Sequence, residues 1–126
     1  MTVFKGKDLK FEELPGRRSA DPLEGVAASS TLRVVELVRA SGRTAHRHPH
    51  SEELVYVASG RGTVWIDGVR LPVGIGDIVR IPPGAAHATI PDDDQTMRLI
   101  CFFPHPELAA NLEDTDIEVS GKDANE

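Results

Sequence analysis

Residues 46 to 53, HRHPHSEE, place three imidazoles and two carboxylates in eight positions. Imidazole nitrogen and carboxylate oxygen are the atoms that hold a divalent transition metal, and such an ion supplies Lewis-acid chemistry that side chains alone do not. Not all five can reach one ion. Successive side chains of a strand alternate between its faces, so His46 and His48 share a face if a strand runs through both. Pro49 lacks the N–H that a ladder needs, so this strand is expected to stop after His48 and leave His50 and Ser51 in a turn. The next strand, ELVYVAS, groups Glu53 with Val55 and Val57, an apolar face that belongs inside, and groups Glu52 with Leu54 and Tyr56. Glu53 is therefore the expected inward carboxylate.

One histidine in a polar loop needs no function. An H-x-H pair followed by an inward glutamate, with a further histidine downstream, points instead to a metal site. That further histidine is His87, at the end of GDIVRIPPGAAH, where the Pro82-Pro83-Gly84 turn stops one strand and sends the chain back into HATI.

These side chains need a frame, and the rest of the chain describes one. Gly and Pro punctuate short Val- and Ile-rich segments: TLRVVELVRA, ELVYVAS, GTVWID, VRLPV, GDIVRI, HATI and MRLICFF. Such segments read as strands. Asp67-Gly68 supplies the two positive φ values of a type I′ hairpin turn between TVWI and VRLPV. No window keeps a 3.6-residue apolar period; HPELAANLED makes a short helix at most. The expected fold is all-β and antiparallel, a barrel or a sandwich. Residues 1–30 read as an N-terminal arm, 31–116 as one barrel domain and 117–126 as a tail.

Composition narrows the partners. Asp and Glu outnumber Lys and Arg by 20 to 14, and the basic residues are scattered, which argues against nucleic acid. No apolar run reaches the roughly 18–20 residues that cross a bilayer, so no membrane is expected and the location reads as cytoplasmic. The single cysteine, Cys101, forms no internal disulfide and suits a reducing compartment.

The two histidine-bearing stretches resemble the paired motifs of the cupin superfamily. The first, G-x5-H-x-H-x3,4-E-x6-G, is matched by His46, His48, Glu53 and Gly60, with four residues between His48 and Glu53 and six between Glu53 and Gly60. The second, G-x5-P-x-G-x2-H-x3-N, is matched by Gly76, Pro82, Gly84 and His87, and fifteen residues separate the two. The opening glycine, Gly42, lies closer to His46 than the pattern asks, and Pro91 stands in place of the closing Asn. Neither position is a ligand. The resemblance implies a jelly-roll β-barrel with His46, His48, Glu53 and His87 pointing into its mouth around one divalent metal: Fe, Mn, Ni, Co or Zn.

Such a site leaves open coordination positions, which suits an enzyme acting on a small organic molecule by dioxygenation, isomerisation or cyclisation. The alternative is a non-catalytic metal- or ligand-binding module. Glu53 and His50 are the candidate catalytic groups, Glu53 as a base and His50 as a proton relay at the mouth. His105 and the Arg17-Arg18 pair read as solvated, the pair with the alternative of reaching an anionic substrate, and Cys101 as an apolar filler with no cation beside it. In TLRVVELVR either parity brings an ionisable residue inward: Arg33 with Val35 and Leu37, with the arginines reaching water at the strand ends, or Glu36 with Val34 and Val38. Finally, MRLICFF directs Ile100 and Phe102 away from the barrel, and Trp65 lies opposite Val64 and Ile66, so a second copy of the chain is expected to cover an apolar outer face as a homodimer, with the N-terminal strand exchanged between partners.

Overall fold

The computed structural model describes residues 2–38 and 43–120. Its strands lie in two antiparallel sheets that form a jelly-roll barrel. One sheet has the order β1 (Glu12–Leu14), β2 (Arg17–Ala20), β3 (Thr31–Leu37), β10 (Met97–Phe103), β5 (Glu53–Ser59) and β8 (Ile78–Ile81). The other runs β11 (Glu113–Val119), β4 (Arg43–Arg47), β9 (His87–Pro91), β6 (Arg61–Ile66) and β7 (Val69–Gly74).

Period-two patterning decides what faces the interior. Met97, Leu99, Cys101 and Phe103 of β10 pack inward with Val55 and Val57 of β5 and with Val35 and Leu37 of β3. The β6–β7 hairpin turns at Asp67 and Gly68, both at positive φ (45° and 91°), as the Asp-Gly pair requires. Gly60 also needs its lack of a side chain: a Cβ there would run into the backbone of Thr96 and Met97, where β5 leads into β6 beside the start of β10.

The structure adds detail at three places. The segment read as an N-terminal arm contains the β1–β2 hairpin, and β2 pairs with β3 through Arg17↔Leu37 to Ala20↔Val34. The HPELAANLED stretch holds one turn of 3-10 helix, Ala109–Asn111, and then becomes β11, which runs to Val119. Trp65 is covered within the chain by a small second core of Ala45, Ala86, Ala88, Ile90 and Val119.

The two parities of β3 resolve in favour of Arg33, Val35 and Leu37 inward. Glu36, the alternative cavity residue, faces outward and accepts a 2.8 Å hydrogen bond from Arg18. The register explains it, because β2 sets Arg18 opposite Glu36, a cross-strand ion pair available only once the arm joins the sheet.

Candidate metal centre

Both sheets contribute to the site. His46, near the end of β4, lies opposite His87, the first residue of β9, in the second sheet. His48 follows the end of β4, and Glu53 opens β5 across the barrel, in register with Ile81 of β8. The three imidazoles converge, with ring centroids 4.5 Å apart for His46 and His87 and 5.1 Å apart for each of the other pairs. One ligand nitrogen from each lies within 4.8 Å of the other two. Glu53 Oε1 reaches to 2.9 Å from His87 Nε2 and 3.4 Å from His48 Nε2. His48, Glu53 and His87 are buried and His46 is partly so.

The orientation of these rings comes from groups behind them. His48 Nδ1 lies 2.7 Å from the Asn111 carbonyl, and His87 Nδ1 lies 3.0 Å from the Ala85 carbonyl. A carbonyl only accepts, so each Nδ1 carries a proton and each Nε2 is turned to the interior. Phe103 packs edge-on to the His48 ring at 4.5 Å. The turn before His87 is tied down twice. Asp67 accepts at Oδ1 from the Ala86 amide (3.0 Å) and donates its own amide to the Ala86 carbonyl (2.9 Å). Gly84, at φ 77°, donates its amide to the His48 carbonyl at 2.9 Å, joining the second motif to the first.

Both Nε2 atoms therefore face the Glu53 carboxylate. His48 Nε2 and Glu53 Oε1 are buried without a hydrogen-bond partner. Buried polar atoms left without a partner are costly, and the donor set, three imidazole nitrogens beside one carboxylate oxygen, fits a divalent transition metal. Carbonyls behind metal-binding histidines are the usual means of fixing the tautomer.

The electrostatics agree. Burial, with the neighbouring His87 and His48, lowers the His46 pKa to about 2, so this ring is neutral and free to bind. Burial pushes the Glu53 carboxyl up, but its contacts with His48 and His87 outweigh that and hold it below the usual carboxylate range. Burial, and then Glu53, push the Cys101 thiol well up. Cys101 is thus more than a filler: it lines the same cavity as His46, Glu53 and His87, and Arg33 and Arg17 are near enough to act on it.

His50 stays outside the cluster. It is exposed, and its ring stacks on His105 at 5.9 Å. Gly42 lies outside the described residues. Asn111, fully buried, had no place in the sequence reading: its side chain accepts from the His50 amide (2.8 Å) and donates to Ser51 Oγ (2.8 Å) while its carbonyl holds His48. A buried Asn in an otherwise polar, exposed stretch carries no local signal of that kind. Arg33 was left open between the two parities of its strand, Arg17 read as solvated and Arg43 was not singled out; all three line the space of about 40 Å³ beside His46 and Glu53. The Arg17-Arg18 pair is divided, Arg17 inward and Arg18 outward on Glu36.

Residues 33–103 match the Cupin domain family, and the chain belongs to it. It is 30% identical over 129 residues to Protein SchB of Streptomyces halstedii, a match covering 92% of this chain and 94% of SchB. Among solved structures it resembles the polyketide cyclase RemF from Streptomyces resistomycificus, with a TM-score of 0.77 and 20% identity over 93% of this chain and 87% of RemF. It also resembles Streptomyces Pac13, a nucleoside dehydratase, with a TM-score of 0.75 and 16% identity over 91% of each chain. At these identities the two structures speak for the barrel and not for its chemistry.

Among the described residues no helix is long and apolar enough to cross a membrane.

Proposed function

We propose that this cupin is a metal-dependent enzyme that holds one divalent transition metal, of the Fe, Mn, Ni, Co or Zn group, on His46, His48, Glu53 and His87 and acts on a small organic molecule in the barrel interior. The observation that carries this reading is the convergence of His48 and His87 Nε2 on Glu53 Oε1, with each Nδ1 proton committed to a backbone carbonyl. The ion supplies Lewis acidity toward a bound oxygen of the substrate. The chain's own residues do the rest. The apolar walls, Val35, Leu37, Val55 and Leu99, exclude water from the reacting centre. Glu53 would supply a carboxylate base inside the cavity, and His50, stacked on His105 at the surface, would relay the proton to solvent.

Reaction types that fit are cyclisation, isomerisation and dioxygenation. RemF is a polyketide cyclase and Pac13 a nucleoside dehydratase, so similar barrels serve non-hydrolytic chemistry on organic molecules. The test is metal analysis of protein purified without a nickel column, followed by a turnover screen on diols, diketones and aromatic polyketide-like compounds with O2 uptake recorded. One equivalent of metal, with turnover lost on chelation and the fold retained by circular dichroism, is expected. Equal ligand affinity of metal-free and metal-loaded protein, with no compound consumed, would favour a binding module instead. The same reading has the chain working as a homodimer.

A further inference from the structure

The barrel that collects the histidines also collects three arginines. Arg17 on β2, Arg33 on β3 and Arg43 on β4 line the cavity that holds His46, Glu53 and His87. None of the three forms an ion pair with a carboxylate among the described residues. Arg33 is held by Ser19, whose hydroxyl accepts from its guanidinium, and Arg43 donates to the Thr89 carbonyl at 3.0 Å. The Arg17 guanidinium makes no hydrogen bond to a described residue.

Clustered guanidiniums repel one another, and burial adds to the cost, which Asp114 and Glu12 offset only in part at Arg17. Both effects are visible. Burial, then Arg33, lowers the Arg17 pKa, and burial, then Arg17 and Arg33, lowers that of Arg43 to about 10. A guanidinium keeps its charge in proteins. The chain as a whole is acidic, with a net charge of −6, so the positive interior is a local arrangement. Against three guanidiniums the cavity offers one carboxylate, Glu53, which is turned to the histidines. Arg33 and Ser19 also line a larger outer groove of about 1010 Å³, between the N-terminal segment and residues 106–112. Arg33 is thus shared by a small inner space and a wide outer one.

We propose that Arg17, Arg33 and Arg43 form an anion subsite in the barrel, so that the ligand is an organic anion whose carboxylate or phosphate group enters the arginine-lined cavity while its body lies in the outer groove. This rests on the proposed function only in taking the barrel interior as the ligand site; it needs no metal. Planar guanidinium forks suit both anions, since each presents two oxygens at fork spacing.

Calorimetric titration with malonate, inorganic phosphate and the neutral malonamide, on metal-free and metal-loaded protein in low-chloride buffer, tests it, with the metal content of each sample measured separately. Malonate or phosphate should bind saturably to the metal-free protein and malonamide should not; the preferred anion tells a carboxylate ligand from a phosphate one. Arg17→Gln and Arg43→Gln should each weaken the anion at least tenfold, and Arg17→Lys by less than Arg17→Gln. Arg17→Gln should also raise the unfolding temperature of the anion-free protein by relieving repulsion, whereas a purely structural arginine would lower it. Malonamide binding as well as malonate, or unchanged anion affinity in folded Arg17→Gln and Arg43→Gln, would overturn the subsite. Both results are read on the metal-free protein, where no ion can hold the anion, so the metal reading stands or falls by its own measurement.

Discussion

His48 is aimed by Asn111. The Asn111 carbonyl lies 2.7 Å from His48 Nδ1 across 63 positions of sequence, and the Asn111 side chain ties down the two residues after Pro49 through the His50 amide and Ser51 Oγ. The turn between His48 and Glu53 is therefore anchored by the segment that leads into β11, and the orientation of one candidate ligand depends on docking of the C-terminal strand.

Asn111→Ala should loosen that anchor without removing any ligand. The backbone carbonyl remains, but the His50 amide and Ser51 hydroxyl lose a buried partner, at a cost of about 1–3 kcal/mol in stability. Metal affinity should fall as the turn between His48 and Glu53 loosens, but by less than the roughly 10- to 100-fold usual when the group behind a ligating histidine is itself lost. Competition with a fluorescent chelator reads the affinity and urea unfolding reads the stability. Unchanged affinity in a destabilised protein would show that Asn111 serves packing alone.

The two neighbouring histidines of the HRHPH stretch should behave differently. His48→Ala removes a buried ring from the cluster and should lose most of the bound metal; His50→Ala removes an exposed ring stacked on His105 and should keep it. Inductively coupled plasma analysis of both variants decides the matter. Equal loss from the two, or full retention in His48→Ala, would mean that the ligand set is wrong.

Strand parity reached Glu53 correctly because β5 runs unbroken from Glu53 to Ser59, and Pro49 announced the turn that carries His50 out of the cluster. Asp67-Gly68 was equally legible, since both positive φ values belong to two adjacent residues. Asn111 was not, because its role is a contact 60 to 63 residues away. Nor were the arginines. A local rule sends charge to solvent, and it put Arg17 at the surface and left Arg33 open to either face; only the pairing of β2 with β3 and the closing of the second sheet over them make their side an interior. The outward turn of Glu36 has the same source, the Arg18↔Glu36 register.

Acid should destabilise the metal-free protein through His46. Burial first, then His87 and His48, lower its pKa from 6.5 to about 2, so between those values the unfolded chain takes up a proton that the folded chain refuses. This stability is complete above pH 6.5 and declines as pH falls toward 2, by at most about 1.4 kcal/mol per pH unit. Glu53, also depressed, adds its own loss only below about pH 4.5. Urea unfolding at pH 7, 6 and 5 in the presence of chelator should give a steeper decline for wild type than for His46→Gln. Parallel declines would show that His46 is not held neutral by the fold.

The outer face of the six-stranded sheet should be a dimer interface. Registers place Ile100 beside Tyr56 and Tyr56 beside Ile78, with Phe102 two residues along β10 on the same face. Tyr56, Phe102 and Ile78 are 46%, 36% and 75% exposed, so a contiguous apolar strip lies open on the single chain. The β1–β2 hairpin pairs with β3 beyond this strip and does not cover it, and β1 itself is an open edge. A symmetric pairing of two copies buries the strip on both sides. Light scattering at micromolar concentration should give twice the chain mass, and Phe102→Asp combined with Tyr56→Asp should give the monomer with its metal content intact, because both side chains face away from the histidines. A wild-type monomer mass would end the proposal. If the dimer also exchanges its N-terminal strands, deleting residues 1–12 should dissociate it; a truncated dimer that persists would leave the sheet face as the sole contact.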